Sequence, residues 1–168
     1  LRKPARPLLF LLVLCSIGGF PAPLSSEPGP GVHSLATERA APPLSGPVIA
    51  VLCYHDISDA PGAPSITITP ALLRAQIRGL KGGGWAFLSL SELLAHRERP
   101  GDLPPRVAVL TFDDGYRSFS ERALPILREE GVKATLSIVT SFLDAPPPGI
   151  PPLMSWEQIR DADRSGLV

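Results

Sequence analysis

Two adjacent carboxylates, Asp113 and Asp114, followed by Gly115, stand at the end of the apolar run Val107-Ala108-Val109-Leu110. The run reads as a buried strand, so both acids sit where that strand leaves its sheet. Open α/β sheets and α/β barrels take their ligands at the carboxyl ends of strands. Two acids side by side repel each other and are costly to desolvate. A metal cation, or a division of labour between a base and a ligand, would relieve that cost. His55 closes a second apolar run, Val48 to Tyr54, and shares the rim with Asp113 if the strands are parallel. It reads either as a pocket residue that orients a carboxylate or contacts substrate, or as a hydrogen-bonded histidine that ends its strand. Taken without its neighbours, Asp-Asp-Gly is also a common turn composition with solvated acids.

The elements that must position these residues follow from pattern. Val48 to Tyr54 is a continuous apolar run, as in a strand buried on both faces. Thr69 caps a helix with Pro70 at its first position, which the glycines at 82–84 end. Trp85 to Leu88 is a short strand. Ser89 and Glu92 form a capping box for a helix to about Arg99. Pro100 to Pro105 is a loop, and Arg106 to Phe112 is the third strand. Ser118 and Glu121 fit a capping box for a helix from Phe119 to Glu130, with Pro125 bending it from within and Gly131 ending it. Val132 to Val139 is a fourth strand, and Asp144 to Pro152 is a proline-rich loop. Ser155 and Gln158 cap a last helix that Gly166 closes. Strands alternating with helices imply a mainly parallel sheet with crossover helices. About 120 residues supply four strands, whereas a closed α/β barrel uses about twice as many residues. The domain therefore reads as the N-terminal half of a barrel, with an unpaired strand edge.

The rest of the chain bounds the setting. The 168 residues carry 16 basic and 16 acidic side chains, so charge offers no hint of a nucleic-acid or acidic partner. Arg2, Lys3 and Arg6 precede the apolar stretch Leu8 to Ile17, which is too short for an ordinary membrane-spanning helix. Residues 1–19 read as an export signal. Cys15 hints at a lipoprotein signal and membrane attachment, but Leu14 before it is larger than such signals use. Residues 20–47 form a Pro/Ser/Gly-rich linker that buries too little to order itself. Residues 48–168 form the domain. Cys53 reads as a small core residue. Asp56 reads as a turn residue. His33 in the linker and His96 beside Arg97, Glu98 and Arg99 read as solvated, and Trp85 and Trp156 as packing residues.

The segment Val107 to Tyr116, VAVLTFDDGY, resembles the first motif of the NodB-like polysaccharide deacetylases. Gly131 to Leu136, GVKATL, resembles the strand after that family's first helix. Met154 to Ile159, MSWEQI, with SGLV at 165–168, resembles the approach to its second motif. Within the family, Val51 to Ile57, VLCYHDI, resembles the subgroup that deacetylates poly-β-1,6-N-acetylglucosamine.

The resemblance implies a distorted (β/α) barrel in which Asp113 is the catalytic base and Asp114 ligates a divalent metal, usually zinc. Gly115 then allows the turn beside the site, while His55 and Tyr116 act as substrate-binding or supporting residues. An amide is a poor electrophile, so a metal polarises its carbonyl while a carboxylate takes a proton from the attacking water. The family's two histidine ligands come from the second motif, which is expected shortly after Val168. The chain is accordingly expected to be part of a longer, exported polysaccharide N-deacetylase (periplasm, outer membrane or extracellular), and to be inactive alone. Its expected substrate is an N-acetylglucosamine polymer, the β-1,6-linked biofilm polysaccharide by resemblance. A peptidoglycan or chitooligosaccharide deacetylase, and a degenerate domain that only binds glycans, are the alternatives.

Overall fold

A computed structural model describes residues 10–15 and 46–168, apart from 62 and 64. The remainder of the expected export signal and nearly all of the expected linker, His33 included, lie outside the described residues. The described elements in chain order are β1 (Phe10–Cys15), β2 (Val48–Tyr54), β3 (Asp56–Ile57), β4 (Thr67–Ile68), α1 (Pro70–Gly82), β5 (Ala86–Phe87), α2 (Leu90–Ala95), β6 (Arg106–Phe112), α3 (Leu124–Glu130), β7 (Thr135–Leu136), α4 (Thr140–Asp144) and α5 (Trp156–Arg164).

The main sheet is parallel throughout. β2 and β6 pair over their whole length, from Val48 opposite Arg106 to Tyr54 opposite Phe112. The far edge of β6 is shared. β5 pairs with its first half, through Ala86 and Phe87, and β7 with its end, through Thr135 and Leu136. The strand next in sequence after β2 is thus not its neighbour in the main sheet, which distorts the simple barrel order. Phe10–Cys15, within the expected export signal, pairs in parallel along the other edge of β2. A strand edge presents unpaired backbone donors and acceptors, and an apolar run can satisfy them.

Side-chain alternation divides the sheet into two faces. Even-numbered residues Ala50, Leu52, Tyr54, Leu110 and Phe112 join the core formed with Leu73 and Ile77 of α1 and Ile126 and Leu127 of α3. Tyr54 stacks on Phe112 with ring centroids 5.1 Å apart, and Phe119 meets Phe112 edge-on at 5.0 Å. Burial raises the Tyr54 phenol pKa, and its hydroxyl donates to Gln76 Oε1 at 3.0 Å. Odd-numbered residues Ile49, Val107 and Val109 form a separate buried cluster with Val51, Leu88, Leu93 and Leu103. That second face leads upward to the acids.

The expected caps of three helices are present. Thr69 Oγ1 accepts from Leu72 N at the start of α1, and capping boxes open α2 at Ser89/Glu92 and α5 at Ser155/Gln158. α2 ends at Ala95 rather than near Arg99. Pro100 pushes Arg99 out of helical geometry, to φ −134°. The expected helix 119–130 is split. Residues Phe119–Ala123 form a π turn, in which Leu124 N donates to Phe119 O. Pro125 has no N–H to give and its ring crowds the preceding turn, so the wider turn accommodates it. Ser118 makes no cap; its hydroxyl is used elsewhere, as described below. The expected strand 132–139 narrows to Thr135–Leu136. Ala134 N donates to Leu167 O at 2.8 Å and Ser137 N to Phe112 O at 2.8 Å, which extends backbone pairing on either side.

Candidate active site

The site sits at the carboxyl ends of β2 and β6, built by strand parity. Cys53 and His55 are two residues apart, so both side chains leave the same face of the chain. Phe112 turns into the helical core, so Asp113 takes the opposite side, and Asp113 N donates to Tyr54 O at 2.9 Å. The parallel pairing of β2 with β6 therefore brings His55 to the rim that holds Asp113. One ligand atom each from Cys53, His55 and Asp113 lies within 4.8 Å of the others, and all three residues are half-buried. The Cys53 thiol donates to Asp113 Oδ2 at 3.1 Å.

Asp114 lies outside that cluster. It is in the left-handed region at φ +70°, the single non-glycine residue with positive φ among the described residues. Asp tolerates that conformation better than most residues, and strain of this kind gathers at functional turns. Gly115 follows at φ +78°, where a Cβ would stand 3.3 Å from Ile138 Cγ2. Two successive left-handed residues turn the chain sharply after the acid pair. Tyr116 is 6% exposed, bridged to Leu153, while Met154 N donates to Gly115 O at 2.9 Å. Burial first, and then the charge of Asp114 and a hydrogen bond with it, raise the Tyr116 phenol pKa. The ring is thus mostly covered, and Asp114 is the charged group that acts first on its hydroxyl.

A buried knot supports this rim from below. Asp56 is 7% exposed. Its Oδ1 accepts from Ser118 Oγ at 2.7 Å and its Oδ2 from Thr67 Oγ1 at 3.2 Å. Ser118 Oγ also accepts from Ile57 N at 3.1 Å. Asp56 therefore ties β3 and β4 to the segment that follows the acid pair, instead of standing in a solvated turn. A groove of about 660 Å³ beside the site is lined by Arg117, Phe142, Leu143, Ile150 and Leu153 among others.

Sequence reasoning missed Cys53 as a site residue, reading it as core. The signal was available in its position two before His55, on a strand whose end reaches the rim. Asp56 and Ser118 were missed because their contact spans 62 residues.

As a metal ligand, Asp114 offers a hard anionic oxygen at the rim, which suits a divalent ion. It fits as one ligand of such a site. Among the described residues, the one cluster of three candidate donors is Cys53, His55 and Asp113, and it leaves Asp114 out.

Residues 101–168 match the family described as polysaccharide deacetylase. The chain is 28% identical over 175 residues to the poly-beta-1,6-N-acetyl-D-glucosamine N-deacetylase of Escherichia coli K12, covering 95% of this chain and 26% of that protein. It is 27% identical to the enzyme of the same name from Staphylococcus epidermidis, covering 60% of this chain and 35% of that one. Among solved structures it resembles a de-N-acetylase from Aggregatibacter actinomycetemcomitans, with TM-score 0.64, 29% identity, 71% of this chain and 52% of that one. It also resembles IcaB from Ammonifex degensii, with TM-score 0.62, 28% identity, 73% of this chain and 51% of that one. The chain thus spans about a quarter of the Escherichia coli relative and about half of the solved chains. An α/β fold of parallel strands, corresponding to half of a distorted barrel of this type, is common to them.

Proposed function

From the place of this chain among the NodB-like polysaccharide deacetylases, we propose that it carries the base and one metal ligand of a deacetylase acting on an exported N-acetylglucosamine polymer. The observation that carries the proposal is the place of the acid pair at the end of β6, where the Asp113 carboxylate shares a half-buried pocket with His55 and Cys53.

Asp113 holds the role of general base. Its carboxylate stands on the rim where an acetamido group would approach, and it would take the proton of a water attacking the amide carbonyl. The Cys53 thiol and the backbone bond to Tyr54 O fix its position. Asp114 would hold a divalent ion, zinc by the family resemblance, together with donors from beyond the described residues; when bound, the ion polarises the amide carbonyl. Tyr116 braces Asp114, and Gly115 permits the turn that follows the two acids. His55 lies where it can orient the base or meet substrate. With a single ligand for that ion, the 168-residue chain alone is expected to release no acetate.

Poly-β-1,6-N-acetylglucosamine is the proposed polymer, supported by the names of the matched relatives. Removal of acetyl groups would leave free amines and make a biofilm matrix cationic. The proposal includes export to the periplasm, outer membrane or exterior. No helix among the described residues is long and apolar enough to cross a membrane; attachment through the N-terminus is part of the proposal. The test is acetate release from β-1,6-linked polymer, peptidoglycan and chitooligosaccharides by the longer protein that contains this chain. Turnover of the β-1,6 polymer alone is the expected result; preference for either of the others overturns the substrate assignment, and release from none overturns the activity.

A further inference from the structure

We propose that Cys53, His55 and Asp113 form a binding site for a thiolate-preferring divalent ion of the zinc type, separate from the ion assigned to Asp114. A further part, which rests on the assignment of Asp113 as base, is that filling this site withdraws Asp113 from proton transfer.

The donors are assembled by the sheet. Cys53 and His55 share one face of β2 and its extension, and Asp113 follows β6, the strand paired with β2 over its full length. One sulfur, one imidazole nitrogen and one carboxylate oxygen lie within 4.8 Å of one another. Zinc bonds of about 2.0–2.3 Å put tetrahedral ligands roughly 3.3–3.8 Å apart. The three groups reach that spacing by closing about 1 Å, within the range of side-chain rotation. Sulfur and oxygen already stand 3.1 Å apart, in the hydrogen bond from Cys53 to Asp113. The site is half-buried, at the rim of the strands whose buried residues Ile49, Val107 and Val109 are each 0% exposed.

Chemistry selects the ion. A thiolate and an imidazole favour zinc and softer ions over magnesium, calcium or manganese, which prefer oxygen donors. Three protein ligands leave a fourth position for water. Binding is a proton exchange: the thiol S–H bond breaks, the proton goes to solvent, and a sulfur–metal bond forms. The Asp113 oxygen that accepted the thiol proton then faces the metal instead. A base whose lone pair is committed to a cation no longer accepts a proton from water. The same pocket thereby senses excess soft metal.

The test is a cobalt(II) titration of the 168-residue chain, read by the thiolate-to-cobalt charge-transfer band, with no substrate present. One equivalent is expected to give the band, and zinc to displace it. Cys53→Ser, which keeps a hydrogen-bond donor for Asp113, is expected to lose the band with its circular dichroism unchanged. His55→Ala is expected to weaken binding by about tenfold or more. Absence of the band in the wild-type chain, or its survival in Cys53→Ser, overturns the site. In the longer protein, Cys53→Ser is expected to raise the zinc concentration that halves acetate release by about tenfold. An unchanged zinc response there overturns the withdrawal of the base, while failure of the deacetylase assignment appears separately, as absence of acetate release at every zinc concentration.

Discussion

The Cys53 thiol and the Asp113 carboxylate meet at 3.1 Å across two parallel strands, 60 residues apart in the chain. The contact joins a residue with no evident chemistry in the sequence to the residue with the most. It holds because Cys53 precedes His55 by two, and Asp113 comes one residue after the Tyr54–Phe112 pair that closes the ladder.

Asp113→Asn removes the proposed base while keeping size and hydrogen-bonding capacity. Acetate release by the longer protein is expected to fall by about 10²-fold or more, with the ion assigned to Asp114 retained. Turnover within a few-fold of wild type removes Asp113 from the role.

Tyr116→Phe deletes the hydroxyl whose pKa burial and then the Asp114 charge raise, and leaves the covered ring in place. Loss of a partner that orients a metal ligand typically costs about 10–100-fold in metal affinity or activity. Metal retention during dialysis is the measurement, and a variant that holds metal as tightly as wild type separates Tyr116 from the site.

Left-handed geometry at 114 and 115 makes a stability prediction. Gly115→Ala puts a methyl group 3.3 Å from Ile138 at φ +78°, and is expected to destabilise by about 1–3 kcal/mol. Asp114→Gly is expected to be more stable than Asp114→Ala by about 1 kcal/mol, since glycine alone adopts φ +70° at no steric cost. Thermal melts of the three variants decide it, and equal midpoints for the two position-114 variants contradict the strain.

Ser118→Ala strips the buried Asp56 carboxylate of its 2.7 Å donor and Ile57 N of its acceptor. Leaving such groups unsatisfied costs about 1–3 kcal/mol. Had Ser118 been a simple helix cap, the loss would fall on the helix; here it should be relieved in the double variant Asp56→Asn/Ser118→Ala, measured by urea denaturation.

Glu92 carries a pH signature. Its hydrogen bond with Lys133, then its bond to Ser89 N, hold its carboxyl below the ordinary value of 4.5. A lowered folded pKa means the contribution is present above 4.5 and lost as pH falls through the folded value. Both partners are more than a third exposed, so the contribution is less than about 1 kcal/mol. Glu92→Gln keeps an acceptor for Ser89 N, and should flatten this acid limb in melts between pH 5 and 3 (order-of-magnitude window from the ordinary carboxylate range). A limb unchanged from wild type rules the pair out.

Much of the fold is local, and so it is legible in the chain. Thr69, Ser89 and Ser155 announce their helices because a cap is a bond between residues two or three apart. The runs 48–54 and 106–112 announce buried strands because both faces are covered, and TFDDG sits at the end of one of them. The split at 119–124 followed from Pro125, whose presence was plain, but the form of the adjustment was set by packing of Phe119 and Leu124 into the core. What the sequence determined by itself was the order of elements and the position of the two acids at a strand end. Tertiary structure decided that Asp113 shares a pocket with Cys53 and His55, that the Tyr116 ring is covered, that Asp56 is a buried strut, and that Cys53 touches the Asp113 carboxylate. The physical reason is that these relations depend on which strands pair and in what register, and register is fixed by the burial of a whole face at once. Alternation along one strand tells which residues share a side. Only the neighbouring strand tells what they meet.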